Sequence, residues 1–173
     1  MNGPMWGTLG TIWGIGGVLL ILGSAVWRLA PVGREALDYP LGTRHWIFLA
    51  VWIALMLWSE GYRGFHRNFS PRVAARARYL RDHPHPLHLT LAPLFCFGFL
   101  HATRRRRLTS TALVLGIFLL VVTVRRLPQP WRGLIDIGVA LGLVAGIASV
   151  VYFAVRAFGA QQLPVSPEVP EEL

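Results

Sequence analysis

Three groups of side chains in this sequence have the types and spacing that chemistry needs. Glu60, Arg63 and His66 fall within Ser59-Glu60-Gly61-Tyr62-Arg63-Gly64-Phe65-His66. Arg132 and Asp136 lie one helical turn apart, and His83-Pro84-His85-Pro86-Leu87-His88 packs three imidazoles together. Carboxylates and imidazoles hold metals or move protons, and a guanidinium fork grips phosphate through two hydrogen bonds. Glu60, His66 and Asp136 are therefore the candidate catalytic groups. Arg63, Arg72, Arg76 and Arg132 are the candidate lipid-phosphate ligands. Gathered on one membrane face, they would form a site for a lipid or isoprenoid phosphate at headgroup level. The plainer reading is two ion pairs that close helix ends, Glu60–Arg63 and Arg132–Asp136.

His83, His85 and His88 are weak metal candidates. Prolines separate them and no cysteine is near, whereas structural zinc sites need four suitably spaced ligands. A haem would need two facing histidines, and His45, His88 and His101 all lie near the ends of apolar runs. Trp46, Trp52 and Trp58 form an aromatic face that suits a quinone or, more ordinarily, an interfacial belt. No cofactor is favoured. The chain has no phosphate-cradling glycine loop with lysine, no H-E-x-x-H and no G-x-S-x-G.

The elements that must position these groups are set by composition. Of 173 residues, 54% are hydrophobic and only 14% charged, with a net charge of +9. Soluble domains carry roughly a quarter charged residues. A soluble enzyme domain and a disordered chain are thereby excluded. Cys96 is alone, which excludes a disulfide scaffold. All 17 basic residues are arginine, and they cluster between apolar runs. That placement favours anionic lipid headgroups over nucleic acid as the partner.

The runs predict an all-α integral membrane protein with about five membrane helices. These are residues 6–30, 45–62, 87–102, 108–124 and 134–158, each judged against the roughly 20 residues that cross a bilayer. The first lacks the basic start of a signal peptide and reads as a retained helix. Arg28 and Pro31 close it. The third is short, carries Pro93, and either spans or re-enters. Ser70-Pro71 opens a short basic interfacial helix over 70–81, with Val73, Ala77 and Leu80 on one stripe. Residues 1–160 form one membrane domain, and 161–173 a disordered, acidic, proline-rich tail.

Gly138, Gly142 and Gly146, and likewise Gly10 and Gly14, recur every four residues and predict close helix packing. The partner is either another helix of the chain or a second subunit. Five crossings divide the arginines almost evenly between the two sides. A re-entrant third run instead places Arg104–Arg107 with the long basic loop, and puts that loop and the N-terminus in the cytoplasm. The expected function is a small non-enzymatic accessory or assembly subunit of a bacterial inner membrane, as a homo-oligomer or within a complex. The alternatives are a membrane enzyme or carrier acting on a lipid or isoprenoid phosphate, and a haem- or quinone-binding redox subunit.

Overall fold

A computed structural model describes residues 4–83, 90–98, 119, 121–159 and 165. The described residues are helical, with no strand among them. The first helix, α1, runs over Pro4–Leu37. It continues through Pro31, where the sequence reading ends it. Proline removes one hydrogen bond from the preceding turn, and here that turn is at the surface: Pro31 is exposed and Trp27 is 81% exposed.

After a short turn, α2 covers Thr43–Met56. His45 starts it by accepting a hydrogen bond from the Gly42 amide at its Nδ1 (3.1 Å), which satisfies a donor near the helix end. The helix does not stop near Tyr62 and give way to a loop, as the apolar pattern suggests. Leu57–Phe69 continues it as a π segment, and α3, Ser70–Asp82, follows directly. The wider register is visible where the Ser70 amide donates to Phe65 O, five residues back. Three local features favour the widening. Ser59 Oγ donates to Leu55 O at 2.7 Å, a back-bond that competes with the α-helical ladder. Asn68 Nδ2 donates to Arg63 O, again five residues back. Gly61 and Gly64 bring weak helix preference and no side chain.

The next described helix, α4, is only Ala92–Phe97 and ends at Gly98, whose φ of 83° is the left-handed conformation that closes helices. The last, α5, is Trp131–Phe158. Most of the expected runs 87–102 and 108–124, and the expected tail, lie outside the described residues.

Contacts fix the directions of the long elements. Val32 and Gly33 of α1 meet Gln129, Gly133 and Ile137, whereas Gly7 meets Arg81. Trp52 of α2 meets Ile135, whereas Arg78 of α3 meets Ala157. The path from α2 through α3 therefore runs parallel to α5, and α1 runs antiparallel to both. The chain leaves α3 at one end of the bundle and enters α5 at the other.

The core forms where α1, α3, α4 and α5 meet beside the π segment. Ile15, Val18 and Leu22 of α1 join Val73 and Ala77 of α3, Cys96 of α4, and Val150 and Ala154 of α5. α3 is thus a wedge inside the bundle, not a helix laid on its surface. Val73, Ala74, Ala75, Ala77 and Leu80 are all buried. The alanines explain the difference. They are small enough for neighbours to approach on several sides, so an apparent amphipathic stripe becomes a helix enclosed nearly all round. Met5–Leu37 and Trp131–Phe158 are long and apolar enough to cross a membrane.

Candidate functional site

The glycine stripe of α5 is the scaffold on which the polar residues are hung. A Cβ on Gly138 would overlap the indole of Trp52. One on Gly142 would lie 3.1 Å from Glu60 Oε2, and one on Gly146 2.6 Å from the Phe65 ring. The partner of Gly138, Gly142 and Gly146 is therefore the chain's own α2 and π segment. Trp52 is fixed further by its Nε1, which donates to Ile135 O at 3.0 Å. Removing the N–H while keeping a large ring isolates that bond. Trp52→Phe is expected to cost about 1–2 kcal/mol, and Trp52→Ala about 3–5 kcal/mol, in reversible unfolding of the detergent-solubilised protein.

α1 carries a second set of close approaches. Cys96 Sγ would stand 2.8 Å from a Cβ on Gly14, and Gly17 faces Pro93. Gly10 is buried on the same helix. Gly7, Gly17, Gly33 and Gly133 also sit at contacts with no room for a side chain, although the four-residue spacing does not single them out. Their partner atoms come from distant parts of the chain, so one helix's spacing could not reveal them.

The proposed chemical groups do not converge. Asp136 is buried near the start of α5, in the field of Arg132 and Arg125. Glu60 faces Gly142, six residues further on, which is about 9 Å along the axis. His66 Nδ1 lies 3.2 Å from Ser149 Oγ, about 20 Å from the level of Asp136. His83 is at the opposite end from Arg132, stacked on Tyr79 with ring centres 4.7 Å apart. His85 and His88 lie outside the described residues, and no group of three potential metal ligands occurs among the described ones.

The expected pairs Glu60–Arg63 and Arg132–Asp136 are also not formed. The ion pair among the described residues is Arg81–Asp82, at 3.3 Å. The π register explains the first case. Residues three apart face each other on an α-helix, whereas the wider coil turns Arg63 away while Glu60 points at α5.

Two arginines have structural roles. Arg76 is 1% exposed, so it is not an interfacial phosphate ligand in this fold. Its Nη1 donates to Phe95 O at 2.9 Å, and its guanidinium stands 5.3 Å from the centre of the Phe95 ring. It ties α4 to α3. Arg78 Nε donates to Ala157 O at 3.1 Å and Nη2 to Arg156 O at 3.3 Å, with Gly159 O also accepting. It closes the carbonyl end of α5, where a cation is favoured. Arg72 and Arg132 are half-buried, and Arg63 is exposed.

The π segment brings together a group the sequence reading treats only in pieces. Trp58, Tyr62 and His66, at four-residue spacing, stack as a ladder with centres 5.3 and 5.9 Å apart. His66 also meets Phe153 at 5.2 Å and Tyr152 at 6.0 Å. The spacing was the available signal. His45, one of the three histidines considered for haem, spends Nδ1 on the Gly42 amide and packs 4.8 Å from the Trp131 ring. His101 lies outside the described residues.

The chain matches no known family model, and neither a curated protein nor a solved structure is detectably similar to it.

Proposed function

We propose that this chain is a small multi-pass integral membrane protein that works by binding, as an accessory or assembly subunit, and not by catalysis. The observation that supports it is the exposed apolar surface. The closest helix approaches are made at glycines, while many large apolar side chains face outward. Trp27, Leu20, Val51, Trp58 and Val155 are 60–81% exposed and lie on several faces of the bundle. Water makes such a surface costly, and lipid or a partner's helices make it favourable. The separation of Asp136, Glu60 and His66 along α5 argues against an enzyme that needs them together.

In this reading the α1–α2 turn and the start of α5 share one side of the bilayer. The N-terminal end of α1 and the end of α3 share the other. The proposed location is a bacterial inner membrane, with the α3 end cytoplasmic.

Single cysteines in a Cys96→Ala background test this arrangement. Pro40→Cys and Leu127→Cys are expected to react with an impermeant maleimide from the same, external side, and His83→Cys only after the membrane is opened. Extraction of the chain by alkaline carbonate, or labelling of positions 40 and 127 from opposite sides, would sink the proposal.

A further inference from the structure

The outer face of the π segment conflicts with its surroundings. Gly61 packs against Ala145, Phe65 against Gly146, and His66 meets Ser149. The segment therefore occupies the stretch of α5 between Gly142 and Ser149. That stretch starts about 17 Å from Trp131 and ends about 14 Å from Phe158, so it is the middle of a helix about 42 Å long. At this level α5 exposes Val144 and Val151. The π segment, beside it, exposes Arg63, Arg67 and Asn68. Neither arginine has an ion-pair partner within 4 Å among the described residues.

If the bundle spans a bilayer, as proposed above, two guanidinium groups face the hydrocarbon at the depth where an isolated charge is most costly. Such a group either snorkels to the headgroups or draws something anionic to it. The strip is also flanked by Trp58 and Tyr62, which are 60% and 43% exposed. Amphipathic aromatics of this kind favour the headgroup level. Arginine adds the fork geometry that matches phosphate.

We propose that this strip, built on Trp58, Tyr62, Arg63 and Arg67, receives the phosphodiester headgroup of an anionic phospholipid within the thickness of the bilayer. The charge is complementary, and the site is open to the side from which a lipid arrives. Small spirals of wider register are recurrent at functional positions in helices. Here the register turns Arg63 out of reach of Glu60 and leaves it for an external anion. The inference rests on the membrane reading of the previous section.

The test is native mass spectrometry of the full chain released from nanodiscs of phosphatidylglycerol. The wild type is expected to retain phosphatidylglycerol. Arg63→Gln and Arg67→Gln are each expected to lower retention roughly tenfold, which matches the loss of one charge-assisted contact. Arg34→Gln and Arg44→Gln each remove the same charge at the end of the bundle and should leave retention unchanged. Circular dichroism of every variant checks that the helices remain.

Equal retention by the wild type and the Arg63 and Arg67 variants would overturn the inference. So would equal loss in the Arg34 and Arg44 control, or a co-purifying protein released by Arg63→Gln in place of lipid. Carbonate extraction of the same preparations separates the two proposals. An extractable chain defeats the membrane reading and this inference with it. An integral chain without arginine-dependent lipid defeats this inference alone.

Discussion

Gly133→Ala is expected to be among the most damaging single-methyl changes in this protein. The new Cβ would meet Ala36 Cβ and, at 2.5 Å, the backbone oxygen of Val32. A side chain can rotate away, but a carbonyl in the middle of a helix cannot, so α1 and α5 must separate. Gln129 makes the position stiffer. Its Oε1 accepts from the Gly133 amide at 3.0 Å and its Nε2 donates to Val32 O at 3.4 Å, linking the two helices at the same point. Overpacking of this kind costs about 1–3 kcal/mol, and loss of the Gln129 link adds about 1 kcal/mol. The informative comparison is Gly16→Ala, where nothing lies within 4 Å of the added atom. That change should be neutral, or stabilising by up to about 1 kcal/mol through helix preference. Unfolding both variants in mixed micelles of rising denaturing detergent measures the difference. Equal stability of the two would mean that the α1–α5 approach is not as close as described.

The second large effect is expected at Arg76. Truncation to alanine removes the Arg76 donor to Phe95 O and leaves a cavity the size of a guanidinium and two methylenes in the centre of the bundle. Phe95 O keeps the Gly98 amide as a donor at 3.0 Å, so the lost bond costs about 1 kcal/mol, and the cavity makes the larger contribution. A total of about 3–5 kcal/mol is expected. Arg76→Lys should rescue little of it, because an ammonium cannot both reach the carbonyl and lie over the Phe95 ring as a planar group does. Arg76→Met keeps much of the volume and should fall between lysine and alanine in damage if packing dominates. Proteolysis or deuterium exchange at residues 92–97 gives the local readout, since α4 is the element that Arg76 holds. Unchanged protection of α4 in Arg76→Ala would show that the tie is dispensable.

These two positions also mark what the sequence could and could not disclose. The long helices were legible because their signal is local: continuous apolar residues over more than 20 positions. The stripe at Gly138, Gly142 and Gly146 was legible for the same reason, but its partner was not. Trp52 and Phe65 are some 80 residues away, and periodicity in one helix carries no information about the opposite surface. The helix from Ser70 was expected, and its burial was not. Its four arginines read as a face that needs water or headgroups, whereas Arg76 donates inward to a carbonyl of α4 and Arg78 to the end of α5. The π segment was invisible to an argument based on a period of 3.6. That period makes Glu60 and Arg63 neighbours, and the wider register separates them.

The candidate site was misread for a related reason. Sharing a membrane face would unite Glu60, Asp136 and the histidines only if they stood at one height in their helices. The parallel course of α2 and α5 instead sets Asp136, Glu60 and His66 at successive heights. A one-dimensional sequence gives each residue's place in its own helix, but not the offset between two helices. Here that offset decides whether a site exists.

The order of the chain has a consequence for how the protein is made. α1 and the pass that follows it are joined by the short segment 38–42, and both have emerged well before α5 begins at Trp131. At about 5–20 residues per second, α5 follows the end of α1 by roughly 5–20 s. During that interval Trp52, Phe65, Gly33 and the underside of α3 have no α5 to cover them. The nascent hairpin is therefore a receptor for its own last helix, with a groove that stays half-filled until α5 arrives.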